Sequence, residues 1–231
     1  IGFSFALPLV IKNTFPEFLA SHPFIATYLA GLGFTGALIG SLARPLGGWL
    51  SDKIGGARVT LAVFVGMAVF TSVAIVGVQR HSFTVFFLSY MGVFLVAGMG
   101  NGSTYKMIPS IFAAIGRQEA METGRDPGEV TVEVKRRAAA VIGIAGAIGA
   151  FGGVLIQVIL RQSSLQVGAL VKAAATPAEK IAVAAAHADW SVPALWVFLG
   201  SYLVLAGVTW FVYVRAEAPS AATPSLAGAT A

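Results

Sequence analysis

The chain has 231 residues, of which 57% are hydrophobic and only 11% charged, with 15 Lys and Arg against 10 Asp and Glu. A soluble domain carries about 25% charged residues, so the composition excludes a water-soluble fold, a disordered chain and a collagen-like fibre, and a net charge of +5 is too thinly spread for a nucleic-acid-binding face. The chain contains no cysteine, which excludes a disulfide framework, zinc–thiolate clusters and thiol chemistry; an all-α polytopic membrane protein remains.

A bilayer core about 30 Å thick needs about 20 apolar residues of helix, at 1.5 Å per residue. Stretches free of Asp, Glu, Lys and Arg run over 18–43, 59–79, 81–105, 138–160 and 190–214. None alternates with the period of two that a transmembrane barrel needs, so each is read as a helix, whose backbone groups are satisfied internally in lipid. With a short apolar stretch at the start, the predicted helices are 1–19, 24–50, 59–79, 82–113, 138–160 and 191–214. The first is read as truncated, because the chain opens without Met inside an apolar run, and no basic leader or small-residue cleavage site precedes Lys12. Residues 1–215 are thus expected to form one transmembrane bundle, followed by a disordered tail over 216–231, rich in Ser, Thr, Ala and Pro.

The loop after the second helix, the loop after the fourth and the tail carry Lys53, Arg58, Arg117, Arg125, Lys135, Arg136, Arg137 and Arg215. The opposite side carries Lys12, Arg80, Arg161, Lys172 and Lys180. The positive-inside rule places the richer side, and with it the C-terminus, in the cytoplasm.

Within the second helix stands Arg44, eight residues before Asp52 and so about 12 Å inside the boundary. A charge near the midplane costs at least ~2.5–3.5 kcal/mol and normally faces the bundle interior. No predicted span offers it an Asp or Glu. Compensation falls to an anionic ligand or to a carboxylate outside this chain. The planar guanidinium suits bidentate contact with a small flat oxyanion such as nitrate, nitrite, formate or bicarbonate.

Residues 48–58 read Gly48-Trp49-Leu50-Ser51-Asp52-Lys53-Ile54-Gly55-Gly56-Ala57-Arg58. A short turn of this kind needs Gly55 and Gly56 for φ > 0, lets Gly48 bring helices close, and leaves Asp52 to pair with basic groups or cap the next helix. Gly48, Asp52, Lys53, Gly55 and Arg58 are expected to gate a conformational change; solvated charges on an ordinary tight turn are the plainer alternative. The spacing matches the loop motif of the major facilitator superfamily.

The fourth predicted helix holds Gly98, Gly100, Asn101, Gly102, Ser103 and Thr104 in one run. Glycines this dense weaken a helix by about 1 kcal/mol each, which calls for close backbone approach or for a ligand on the main chain. Beside Arg44 the ligand site is the better reading, with Asn101, Ser103 and Thr104 as uncharged donors. Lys106 is read as snorkelling to the cytoplasmic surface, and Pro109 as kinking the helix end. The fifth predicted helix carries Gly143, Gly146, Gly149, Gly152 and Gly153, read as a packing or sliding face. In the outer loop, Thr176-Pro177-Ala178-Glu179 reads as a helix start.

Taken together, Ala43-Arg44-Pro45 with Gly47-Gly48, the loop 52–56 and the run from Gly98 to Thr104 resemble the C-terminal half of the nitrate/nitrite porter family within the major facilitator superfamily. The resemblance covers nearly the whole chain from Gly2. It implies six of twelve helices, a bacterial inner-membrane location, and partners that comprise nitrate, nitrite, membrane lipid and an absent N-terminal six-helix half. It also implies that Arg44 clamps the anion with a second arginine in that half, and that Gly100, Asn101, Gly102 and Ser103 line the path. No cofactor, metal or nucleic acid is expected, and no grouping of nucleophile, base and orienter suggests an enzyme. Exchange of nitrate for nitrite is favoured, because no span of this chain carries a proton-relay acid. The alternatives are proton-coupled nitrate symport, export of organic solutes, and a non-transporting membrane module.

Overall fold

The structure is a computed structural model and describes residues 2–215, with side chains from Ser4 onward. The expected tail over 216–231 lies outside the described residues.

Helix α1 (Gly2–Thr14) is followed by two single-turn helices, α2 (Pro16–Ser21) and α3 (Pro23–Thr27). Each short helix begins on a proline, whose missing N–H costs nothing in a first turn. A proline also pushes the residue before it out of the helical region, and Phe15 and His22 are both non-helical. Pro16 therefore divides the expected helix 1–19, whereas the expected helix 24–50 is broken at Tyr28, between α3 and α4. The next, α4 (Leu29–Ile54), starts later than expected and runs to the end of the predicted loop.

A single residue, Gly55 at φ +89°, joins α4 to α5 (Gly56–Gln79). The following turn carries His81 at φ +51°. Helix α6 (Phe83–Thr123) then continues beyond the expected end at 113, through Pro109, and stops at Gly124 in the left-handed conformation. Helix α7 (Pro127–Ala173) is also longer than its charge-free stretch. Asp126 caps it, its carboxylate accepting from the Gly128 and Glu129 N–H groups at 3.0 and 3.1 Å. Beyond the apolar stretches α6 and α7 continue as a polar hairpin. There Arg125 and Arg137 each donate to both Glu119 and Glu133.

Helix α8 (Pro177–Ala186) forms in the loop after α7. The Thr176 hydroxyl accepts from the Glu179 N–H at 3.2 Å, and the Glu179 carboxylate accepts from the Ala175 N–H at 2.8 Å. A 3₁₀ turn (Ala188–Ser191) leads into α9 (Val192–Thr209), which ends in a π turn (Trp210–Val214).

Among the described residues, five helical segments are long and apolar enough to cross a membrane: α4, α5, α6, α7 and the stretch from Ala188 to Val214. Helix α1, at about 20 Å, is shorter than the hydrocarbon core. Helix α6 is central and touches α4, α5 and α7; α9 lies on α5, and α1 on α4 and α7. Aromatic rings fill the half of the bundle away from the basic end. Phe18 stacks on Phe83 at 4.0 Å, Phe15 meets Phe86 at 5.2 Å, and Phe86, Tyr90 and Phe94 follow one another down α6. The outward faces are apolar as well: Trp196, Leu203, Val204 and Phe211 of the last segment are exposed, as a lipid-facing surface requires.

Candidate functional site: an unpartnered arginine between close-packed helices

Helices α4 and α6 run parallel and touch backbone to backbone. A Cβ on Gly98 would strike the carbonyl of Gly40, one on Gly102 the carbonyl of Arg44, and one on Gly47 the carbonyl of Met99. Only hydrogens fit at these contacts. Close approach through small residues substitutes for the hydrophobic drive that helices in lipid lack. Gly100 is turned to the other neighbour, where its Cβ would lie 2.7 Å from a Val63 methyl of α5. Of the two accounts the sequence offers for these glycines, close helix contact is what the geometry displays. The faces of Gly98, Gly100 and Gly102 are filled by α4 and α5. Gly48 makes no such contact: its Cβ would sit 3.6 Å from the Lys106 side chain, at ordinary distance. Its neighbour Gly47 is the glycine that brings the helices together.

This packing fixes the depth of Arg44. Its carbonyl lies against Gly102, so its side chain leaves α4 level with Asn101. The residue is exposed, and no hydrogen bond or ion pair reaches it among the described residues. Every ion pair found there lies farther toward the basic end of the bundle. Asn101 falls between Gly100, which faces α5, and Gly102, which faces α4; it is therefore turned to the third side of α6, half-buried. Its amide has no hydrogen-bond partner among the described residues.

Ser103 does not share that side. It is fully buried, and its hydroxyl has no partner. Across the α5–α6 contact, Gly56 stands opposite Met107 and Gly100 opposite Val63. That register sets Ser103 against Thr60, whose hydroxyl is also buried and unpaired. Ser103 thus lies buried in the α5–α6 contact. The Thr104 hydroxyl donates to the Gly100 carbonyl at 2.9 Å.

One residue that sequence reasoning passed over stands beside Asn101. Tyr105 lies one turn on, on the same flank and exposed. Its hydroxyl is 4.0 Å from where Gly146 of α7 would carry a Cβ. The spacing of four from Asn101 was the available signal. The α7 glycines Gly143, Gly149 and Gly152 face open space.

At the basic end, Lys106 forms an ion pair with Asp52, so Asp52 joins α4 to α6 and does not cap α5. Lys53 lies over the Trp49 ring at 3.9 Å. Arg58 is exposed, and no ion pair holds it among the described residues. Gly55 supplies the positive φ of the turn.

No protein-family model matches the chain. It is 35% identical over 218 residues to the nitrate/nitrite transporter NarU of Salmonella typhimurium, and 34% identical over the same length to NarU of Escherichia coli. Both alignments take in 93% of this chain and 41% of the relative. Over 163 residues it is 31% identical to the probable nitrate/nitrite antiporter NarK2 of Thermus thermophilus, covering 68% of this chain and 30% of that protein. The chain thus spans well under half the length of the curated relatives it matches.

Proposed function

The chain belongs to the nitrate/nitrite porter family of the major facilitator superfamily, and from that membership we propose that it forms one six-helix half of a secondary transporter exchanging nitrate for nitrite. The observation that carries the reading is Arg44: a permanent cation about 12 Å inside the boundary, at the depth of Asn101 and without an anionic partner among the described residues. A nitrate or nitrite ion supplies the missing charge. The guanidinium grips two of its oxygens in plane, and the Asn101 amide, with Tyr105 beside it, donates a further hydrogen bond without cancelling the charge.

The remaining predicted site residues act indirectly. Gly98 and Gly102 let α4 and α6 approach closely enough to hold Arg44 level with Asn101, and Gly100 does the same for α5; Ser103 is buried between α5 and α6, and Thr104 hydrogen-bonds within α6. Gly48, Asp52, Lys53, Gly55 and Arg58 form the gate at the basic end, where the Asp52–Lys106 pair holds one conformation. The bundle rocks against a second six-helix half around the midplane anion, in a bacterial inner membrane with the C-terminus in the cytoplasm. Residues 1–215 are the transmembrane unit and 216–231 its tail. Exchange fits a bundle that sets no carboxylate beside Arg44 among the described residues, and one relative is named as a probable antiporter.

The test uses the full-length protein in liposomes loaded with nitrite, with labelled nitrate outside. Uptake proceeds without a pH gradient in the wild type. It is lost in Arg44→Lys, which keeps the charge and loses the fork. Uptake that needs a pH gradient would replace exchange by proton symport; an active Arg44→Lys protein would remove the anion site itself.

A further inference from the structure

Where α6 and α7 leave the apolar part of the bundle they enclose a groove of about 670 Å³. Its floor is apolar, formed by Pro109, Phe112, Ala138 and Ile142, and its rim carries Arg117 and Lys135. The neighbouring cations Arg125 and Arg137 are neutralised by Glu119 and Glu133. Arg117 and Lys135 take part in no ion pair among the described residues. On both helices the floor residues lie in uncharged sequence: nothing between Lys106 and Arg117 is charged, nor anything between Arg137 and Arg161. The floor therefore starts beside the Asp52–Lys106 pair, where the apolar part of the bundle ends, and the rim lies farther out on the polar hairpin. Ile111 and Ile115 are exposed beside it.

We propose that this groove binds one anionic phospholipid, its phosphate between Arg117 and Lys135 and an acyl chain along the floor. Basic pockets between transmembrane helices suit anionic headgroups, and the apolar floor selects a lipid over a free phosphate ion, which would have no use for it. The site lies away from Arg44 and does not depend on what the transporter carries.

The experiment is native mass spectrometry of the full-length protein titrated with phosphatidylglycerol or with phosphatidylcholine of the same chains. One phosphatidylglycerol is expected to bind in preference to phosphatidylcholine. Arg117→Gln and Lys135→Gln each weaken it about fivefold, and the double variant about 25-fold. Ala113→Phe with Ala139→Phe narrows the groove and keeps both cations; it weakens the lipid as well, while inorganic phosphate fails to displace it. Arg161→Gln, at the other end of the bundle, leaves binding unchanged, and Arg44→Lys does too, even where transport is lost. Equal retention of the two lipids overturns the proposal. So does an unaffected double charge variant, the result expected if the rest of the transporter covers the groove. Displacement by inorganic phosphate reduces the site to an ion site and overturns the lipid assignment.

Discussion

At Gly102 a single hydrogen separates two helix backbones. Any side chain there strikes the carbonyl of Arg44, so a methyl group must part α4 from α6 or tilt the arginine out of level with Asn101. Overpacking of this kind costs about 1–3 kcal/mol. Gly98→Ala and Gly102→Ala should each lower the thermal unfolding temperature of the full-length protein, whereas Gly48→Ala, with ordinary contact distances, should stay within about 0.5 kcal/mol of wild type. Reversal of that order would remove the close-contact role. At this scale the sequence was informative about type and weak about direction. The lone arginine could be read from its distance to Asp52, and the glycine run from its cost to the helix. Which of Gly98, Gly100 and Ser103 meets a ligand and which a helix depends on the neighbours' positions, and no local pattern carries that. A stripe at Gly36, Gly40 and Gly47 was the clue to the other half of the contact.

Among the elements, the α6–α7 hairpin shows how a polar helix end is held outside the membrane. Two arginines bridge two glutamates. The hydrogen bond from Arg125 above all, with that from Arg137, keeps the Glu133 carboxyl below its usual pKa. Because the folded value is the lower one, the contribution is present above the unfolded carboxylate pKa and is lost as pH falls through the folded value. Hydrogen exchange across 117–137, corrected for its intrinsic pH dependence, should therefore be flat from neutral pH down to the ordinary carboxylate range and rise only below it. Glu133→Gln should raise it already at neutral pH. At α8, Thr176→Ala removes the cap that accepts from Glu179 and should cost that helix about 1 kcal/mol, seen as faster exchange over 177–186 alone. The charge gaps located the apolar segments of the long helices and the Thr176 box located α8. They missed the ends of α6 and α7, because a gap in charge marks where water begins and a helix continues past it wherever caps and ion pairs satisfy it. Pro109 does not mark the end of α6, which runs through it.

For the molecule as a whole, the ion pair between Asp52 and Lys106 is its link between α4 and α6 at the basic end. Both side chains are about half exposed, and such pairs contribute about 0–1 kcal/mol, little for the fold but enough to bias two conformations of similar energy. Asp52→Lys should slow nitrate counterflow in liposomes with almost no change in unfolding temperature, and adding Lys106→Asp should restore it. The all-helical class and membrane character followed from composition together with long charge-free stretches that lack a period of two. The partner of Asp52 did not, because Lys106 is far from it in sequence and a snorkelling lysine has many acceptors within reach. Helix α7 carries a consequence of a mechanical sort. At 47 residues it is about 70 Å long, more than twice the hydrocarbon thickness, and it touches α8 toward its C-terminal end and α6 toward its N-terminal end. A rod of that length, pivoting near its middle, swings its two tips in opposite directions, so closing on one side of the bilayer is geared to opening on the other within a single element.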